Sequence, residues 1–172
     1  MKIVITGFSG AGKSTLAQNL GNHYNIPVLH MDSLHFKENW KERDNTEFAH
    51  LVQEFMQNND SWIIDGNYRS IATNRFTEAD QLIFLNYNRL TCLINAVKRY
   101  KKYKGKSRPD MAKGCEEKID KEFFLWLIWN GRTKERKNRL FNQAKNHKNG
   151  IVFKNRKELF KYYKSNNITY NK

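Results

Sequence analysis

The sequence is poor in the features that mark a secreted or membrane-embedded protein. Only two of its 172 residues are cysteine, Cys92 and Cys115, too few for a disulfide framework. No apolar stretch follows a basic start, so we expect no secretory signal and a reduced, cytoplasmic protein. The longest apolar run, Phe123 to Trp129, is far too short to cross a bilayer, and we therefore expect no membrane partner.

Acidic residues are also scarce: 17 Asp and Glu stand against 31 Lys and Arg, which gives a formal net charge of +14. One interpretation is a polyanionic partner, such as a nucleotide, RNA or DNA. The other is a lysine- and asparagine-rich surface that is simply solvated. Nucleic-acid binding based on charge alone would be weak and independent of sequence. Composition leaves both interpretations open, and it does not indicate an oligomeric state.

The first fifteen residues carry the most specific motif in the chain. An apolar, β-branched run at 2–6 leads into GFSGAGKST at 7–15, a complete G-x-x-x-x-G-K-[ST] sequence, and apolar residues at helical spacing follow. This pattern predicts an ATP-binding phosphate loop (P-loop, or Walker A motif), whose backbone N–H groups surround the phosphates. The predicted contacts come from Gly7, Ser9, Gly10, Ala11, Gly12, Lys13, Ser14 and Thr15.

Three side chains of this loop have predicted roles of their own. Lys13 should reach the β- and γ-phosphates and act in catalysis, the Ser14 hydroxyl should bind Mg²⁺, and Thr15 should point toward the α-phosphate. The alternative is a glycine-rich turn that binds nothing. The strand before the loop and the helix after it argue against that alternative, because the motif requires both.

Short apolar strands alternate with helical patterns along the rest of the chain. We predict strands at 2–6, 27–31, 62–66, 81–85 and 150–153. Helices are predicted at 13–24, 44–58, 69–76, from 89 onward, at 119–146 with a kink at Gly131 as an alternative, and from 154 or 155 to 165. Residues 33–43 are predicted to be irregular and 104–117 to be a long loop. The alternation predicts a three-layer α/β fold, one domain over 1–172, with a parallel sheet covered by helices on both faces.

Two aspartates follow predicted strands, at the sheet edge where such folds bind ligands. Asp65 closes the third strand, and we predict that it holds the water shell of Mg²⁺. Asp32 follows the second strand, and we predict that it binds the phosphate acceptor and orients or deprotonates it. The alternative for both carboxylates is a capping or turn role.

Arginines with helical spacing predict a closing lid. Arg132, Arg136 and Arg139 would share one face of a helix, and with the loop 104–117 they define a lid over about 99–140. We assign Arg132 to nucleotide binding and Arg136 to catalysis, since phosphoryl transfer needs fixed cations. Because lid cations would repel one another, we expect the loop to be open without nucleotide. The aromatic residues between 123 and 129 are predicted to lie in the core.

Two segments resemble known proteins. The P-loop, Asp32, the basic lid and WIIDGNYR at 62–69 resemble the adenylate-kinase-related P-loop kinases. The segment RPDMAKGCEEKIDKEFFLW at 108–126 is more specific and is similar to that of the DNA topology modulation proteins of the FlaR type. The resemblance implies strand order 2-3-1-4-5, ATP and Mg²⁺ binding, and kinase activity, with residues 7–15 on the phosphates and Asp65 on the magnesium side.

The resemblance also suggests a role for Arg69. This arginine stands where nucleoside monophosphate kinases place a phosphate-binding arginine, which would make it substrate-binding. Those kinases usually read D-G-F-P-R, however, whereas this chain reads D-G-N-Y-R at 65–69. This difference from the usual sequence leaves the role of Arg69 and the identity of the acceptor open.

Two functions are therefore compatible with the sequence. The first is a kinase that transfers the γ-phosphate of Mg-ATP to a small-molecule acceptor such as a nucleotide or nucleoside. The second is an ATP-binding, nucleic-acid-associated regulatory protein, based on the net charge and the basic stretch 98–113. The chemistry of the predicted site favours the kinase, because net charge is weaker evidence of function than a site.

Overall fold

The structure, a computed structural model that describes residues 1–170, is built on one five-stranded parallel sheet. The strands are β1 (Lys2–Gly7), β2 (Val28–His30), β3 (Trp62–Asp65), β4 (Gln81–Leu85) and β5 (Gly150–Phe153). Their order across the sheet is β2-β3-β1-β4-β5, which confirms the expected 2-3-1-4-5 arrangement.

Helices cover both faces of the sheet, so the central strands are buried on both sides. They are α1 (Lys13–Tyr24), α2 (Met31–His35), α3 (Asn45–Gln57), α4 (Arg75–Glu78), α5 (Arg89–Tyr103), α6 (Lys121–Ile128), α7 (Lys134–Asn146) and α8 (Arg156–Ser165). All four residues of β3 are buried, as the continuous apolar run predicts for a covered parallel strand. The predicted three-layer α/β fold is confirmed.

Side-chain caps fix the ends of several helices. The Asp44 carboxylate accepts a hydrogen bond from the Thr46 N–H at 2.8 Å and begins α3, and Asn155 begins α8 in the same way. The Asp44 cap lies at the predicted start of the helix over 44–58.

The predicted continuous helix over 119–146 is instead two helices separated by a 3₁₀ turn at Asn130–Arg132, so the chain breaks at Gly131, where a kink was the predicted alternative. Thr133 starts α7 by accepting a hydrogen bond from the Arg136 N–H at 3.2 Å. Arg132 therefore lies outside α7, and the predicted single face of Arg132, Arg136 and Arg139 does not exist.

The predicted helix over 69–76 is also wrong, since only the short α4 forms there. The fully buried Arg75 donates hydrogen bonds to the carbonyls of Tyr68, Ile71 and Ala72. These carbonyls are thereby held in a loop conformation by a side chain rather than by a helix. Burial lowers the pKa of Arg75 to about 10.

Several aromatic residues expected in the core are exposed instead. Phe124 and Trp126 on α6 are each 39% exposed and Trp129 is 56% exposed, whereas Phe123 packs against the core. The core itself lies between the sheet and its helices, and it includes Trp62, which is fully buried.

Candidate active site

The P-loop connects β1 to α1 at the carboxyl edge of the sheet. Gly10 and Gly12 adopt left-handed conformations with φ of 76° and 92°. A Cβ at Gly10 would lie 2.3 Å from the Cys92 carbonyl oxygen, so only glycine fits there. At Gly12, a Cβ would meet nothing within 4 Å, which means that this part of the loop is open.

The open side of the loop is the N-terminus of α1. Gly12 is the residue before the helix, no side chain caps it, and the first turn contains no acidic residue. Helix N-terminal N–H groups without an internal partner are suited to bind anions, and the helix dipole favours negative charge at the same place. Lys13 and Ser14 in this turn are both partly accessible. The loop therefore fits a polyphosphate.

Arg132 lies against the P-loop although it is more than a hundred residues away in sequence. Its guanidinium stacks over the Phe8 ring at 4.0 Å and donates to the Tyr87 carbonyl at 3.0 Å and to Cys92 Sγ at 2.7 Å. Lys13 is close enough to act on Cys92 electrostatically, as Arg132 does. Lys13 and Arg132 are thus both near Cys92, beside the loop.

Two side chains that sequence reasoning missed fix the loop from neighbouring elements. The Gly7 N–H donates to Asn67 Oδ1 at 3.1 Å, and Asn67 Nδ2 donates back to the Gly7 carbonyl at 2.6 Å. On α5, Asn95 Nδ2 donates to the Gly10 carbonyl at 2.8 Å. An amide directly after Asp65-Gly66 is the one signal in the sequence that could have indicated the first of these contacts.

Asp65 lies at the end of β3, where it is paired with a histidine that the sequence analysis did not consider. The register of β2 and β3 places His30 opposite Asp65, and His30 Nδ1 lies 2.8 Å from Asp65 Oδ1. Asp65 is 4% exposed. Burial alone would lower the pKa of His30, but the hydrogen bond and charge of Asp65, with Asp110 and Asp32 nearby, raise it.

Asp32 lies in α2, directly after β2, and is held by Tyr68. The Tyr68 hydroxyl donates to Asp32 Oδ1 at 2.7 Å. Burial, followed by the negative charge of Asp32, raises the pKa of Tyr68, so the phenol stays protonated and remains a donor. The other oxygen of Asp32 has no hydrogen-bond partner among residues 1–170.

Two arginines are near Tyr68: Arg136 in space and Arg69 in sequence. Arg136 stacks over Trp126 at 4.8 Å, and its buried Nε has no hydrogen-bond partner in the described part of the chain. Burial and then Arg139 lower the pKa of Arg136, whereas Tyr68 opposes this effect, which places Arg136 within electrostatic reach of the Tyr68 phenol. Arg69 follows Tyr68 directly in sequence and is exposed.

The loop 104–117 does not present a set of free cations. Buried Glu117 accepts from Arg99 through Oε1 and pairs with Arg108 Nε through Oε2, both at 2.7 Å. Arg108 also binds Asp110 at 2.7 Å. The premise that lid cations repel one another was therefore wrong for Arg99 and Arg108, because carboxylates from the same segment neutralise them.

The same loop contacts the segment after α2. The Trp40 indole N–H donates to the Glu116 carbonyl at 3.1 Å, and the Cys115 thiol donates to the Lys37 carbonyl at 3.2 Å. Asp110 is within electrostatic reach of His30. The loop therefore lies near the ends of β2 and β3.

The side chains that could hold a divalent cation are few. No cluster of three or more His, Cys, Asp or Glu residues with metal-binding geometry occurs within residues 1–170. Mg²⁺ in phosphoryl-transfer sites takes one or two protein oxygens and completes its shell with phosphates and water, so Ser14 with Asp65 would suffice.

Among the described residues, a surface concavity of about 670 Å³ between Gln18 and Val28 contains no ionisable side chain.

Comparisons with known proteins support this architecture. The chain is 35% identical over 80 residues to an adenylate kinase from Listeria monocytogenes serotype 4a (strain HCC23), a match that covers 46% of this chain. It spans about a third (35%) of the length of that curated relative. No protein-family model matches the chain.

Solved structures with a similar fold cover nearly the whole chain. A deoxyadenosine kinase from M. mycoides with the products dCMP and dCDP has a TM-score of 0.53 at 14% identity, over 96% of this chain and 97% of that one. A shikimate kinase from Acinetobacter baumannii in complex with shikimate has a TM-score of 0.51 at 13% identity, over 98% and 95%. At these identities the likeness shows the fold. Over residues 1–170, no helix combines the length and apolar character needed to span a membrane.

Proposed function

We propose that this protein is a P-loop kinase that transfers the γ-phosphate of Mg-ATP to a small-molecule acceptor, such as a nucleotide or nucleoside. The observation that carries the proposal is the uncapped N-terminus of α1, opened by Gly12 and flanked by Lys13 and Arg132. The weak sequence match to an adenylate kinase and the fold shared with a deoxyadenosine kinase and a shikimate kinase support it.

The donor nucleotide is assigned to the P-loop. Backbone N–H groups of the P-loop bind the phosphates, except those of Gly7 and Ala11, which donate to Asn67 and to the Phe8 carbonyl. Thr15 lies toward the α-phosphate, and Arg132 adds positive charge beside the loop. Ser14 and Asp65 would hold Mg²⁺, which supplies charge neutralisation between the β- and γ-phosphates when bound. Lys13 stabilises the negative charge that develops during transfer, and Arg136 is assigned the same task from the lid segment, 99–140.

The acceptor is assigned to the side that holds Asp32, with Arg69 at its rim. Tyr68 orients the Asp32 carboxylate through the bond to Oδ1 and leaves the other oxygen available to the acceptor. We propose that the lid segment shields the reacting groups from water, which limits hydrolysis of the donor.

The test is a screen of nucleosides, nucleotides and sugars by thermal unfolding, each with and without Mg-ATP, followed by γ-phosphate transfer from labelled ATP. A bound ligand raises the unfolding temperature in proportion to the logarithm of its concentration over Kd. Recovery of label on a compound that also stabilises the protein supports the kinase. Binding of ATP with label that stays on ATP or passes only to water would contradict it and leave a passive nucleotide binder.

A second candidate is an ATP-binding, nucleic-acid-associated protein, as the similarity to DNA topology modulation proteins suggests. One observation favours it: Lys102 and Lys104 lie over the rings of Tyr103 and Tyr100, at 5.4 and 6.0 Å, on a strongly basic helix end. Under the kinase proposal, DNA binding should be weak and should fall steeply with salt. Tight, sequence-selective binding at physiological salt would favour this second candidate.

A further inference from the structure

The acceptor side of the proposed site is lined by carboxylates. Asp65 touches His30 at 2.8 Å, and Asp32 and Asp110 both act electrostatically on the same imidazole. These three residues come from β3, α2 and the loop 104–117, so the negative charge is assembled from three separate segments. Asp65 is paired with His30 and Asp110 with Arg108, so Asp32 is the one carboxylate of the three that has no cationic partner among residues 1–170.

The arginines that could offset this charge are already occupied. Arg99 and Arg108 share Glu117, which is only 2% exposed at its side chain, and Arg108 also binds Asp110. Two guanidiniums and two carboxylates sum to zero net charge. Breaking such a buried group to capture a phosphate would leave an uncompensated charge in the protein.

Arg75 is also unavailable to a phosphate, because its guanidinium is buried and donates hydrogen bonds to carbonyls of the loop 68–72. Near the acceptor side remain Arg69, which is exposed, and Arg136 on α7, which has Arg139 within electrostatic reach. Arg136 already has an assigned role at the transferred phosphate. A single exposed arginine is a weak counterpart for a dianion that faces the carboxylate of Asp32.

A carboxylate in the position of Asp32 can act as a catalytic base only with some classes of acceptor. A hydroxyl must lose its proton when it attacks phosphorus, and a base such as Asp32 can take it. A phosphate monoester is already ionised at neutral pH and needs no base, whereas a carboxylate beside it would repel it. The free oxygen of Asp32 therefore suits a hydroxyl acceptor.

Next to Asp32 lies a cluster of aromatic rings. The His35 ring packs on Tyr68, Phe48 and Phe36 with centroid distances of 4.8, 5.3 and 4.6 Å, and Phe36 packs on Trp40 at 5.2 Å. Several of these rings are partly exposed, as Phe36 and Trp40 illustrate. Such rings offer a surface on which a planar, uncharged ring system can stack.

We infer that the acceptor is an unphosphorylated nucleoside-type compound, with a planar base and a free hydroxyl, and not a nucleoside monophosphate. This inference rests on the proposed function and narrows it. The acceptor oxygen forms a bond to the γ-phosphorus, the bond from that phosphorus to the β–γ bridging oxygen breaks, and ADP leaves with the electron pair. The hydroxyl proton passes to the free carboxylate oxygen of Asp32.

The test compares matched pairs of acceptors, each nucleoside or deoxynucleoside against its own 5′-monophosphate, with Mg-ATP as donor and ADP release as the readout. Because like charges in contact disfavour the phosphorylated member, we expect kcat/KM to be at least about a hundredfold higher for the nucleoside of the productive pair. Preferential use of a monophosphate, together with its loss in an Arg69→Gln variant, would overturn the inference. A panel in which no nucleoside is turned over would overturn it as well.

The Asp32→Asn variant supplies a second, independent readout. With a hydroxyl acceptor, loss of the base should lower kcat by about a hundredfold while the Kd of Mg-ATP stays unchanged. With a phosphate acceptor, removing the charge should leave kcat unchanged or raise it, which would contradict the inference. Asp60→Asn, an exposed aspartate before β3, is the matched control. Failure to bind Mg-ATP would instead refute the proposed function, so the two failures are distinguishable.

Discussion

The two sides of the proposed site differ in charge and in how that charge is held. On the donor side, Lys13 and Arg132 flank an uncapped helix N-terminus, and nothing acidic lies in the first turn of α1. On the acceptor side, the Asp32 carboxylate accepts one hydrogen bond from Tyr68, and the Asp65 carboxylate forms one with His30. The positive charge on the donor side suits a polyphosphate. The carboxylates on the acceptor side suit a hydroxyl that gives up a proton, or a bound cation.

In the proposed lid segment, the charges of Arg99 and Arg108 are balanced by Glu117 and Asp110. Glu117→Gln should break that balance, since it leaves Arg99 and Arg108 without their shared buried carboxylate. We expect a loss of about 3 kcal/mol in the local stability of the loop 104–117, the usual cost of removing one partner from a buried ion pair. Hydrogen exchange across the loop measures this loss.

Glu116→Gln is the matched control for that variant. The Glu116 side chain is exposed and only its backbone carbonyl binds Trp40, so exchange should stay at the wild-type rate. Equal exchange in the two variants would show that the Glu117 pairs do not hold the loop. A Glu117→Gln protein that accepts nucleoside monophosphates would indicate that neutralised lid arginines set the acceptor class.

Asn67 links the two sides, because it follows β3 and binds the first glycine of the P-loop twice. Asn67→Ala removes both hydrogen bonds, each worth about 1 kcal/mol, so the KM for ATP should rise by about five- to thirtyfold. Asn67→Asp keeps the acceptor oxygen but loses the donor to the Gly7 carbonyl and places a negative charge beside the phosphates. It should therefore weaken ATP binding more than alanine does.

Asn59→Ala is the control for the asparagine variants, since Asn59 Nδ2 binds the Phe55 carbonyl away from the P-loop. It should leave the KM for ATP unchanged. A wild-type KM in Asn67→Ala would mean that β1 and α1 hold the loop without this clamp.

The sheet and the P-loop could be predicted because their signals are local. Apolar runs of four or five residues mark the strands, and the loop motif is continuous from Gly7 to Thr15. The end of β3 was also predictable, although the partner of Asp65 was not. His30 becomes its neighbour only through the register of β2 against β3, which no local pattern reveals.

The lid was less predictable, for two physical reasons. Arginine spacing indicates a shared helix face only if the helix is continuous, and the cap at Thr133 ends that continuity. Arginines near a phosphate site also look available in sequence, whereas Arg99 and Arg108 are neutralised by Glu117. A threonine just before a charged run could have signalled the cap, but no sequence pattern identifies which glutamate pairs with which arginine.

The division between the two sides is tested most directly by calorimetric titration of a non-hydrolysable Mg-ATP analogue into three proteins: wild type, Lys13→Ala and Asp32→Asn. Lys13→Ala should raise the Kd by at least about tenfold, because it removes a charge-assisted contact to the phosphates. Asp32→Asn should keep the wild-type Kd within about twofold, since Asp32 is assigned to the acceptor; this margin is smaller than one hydrogen bond is worth. An unchanged Kd in Lys13→Ala, or an equal loss in both variants, would contradict the separation of donor and acceptor sides.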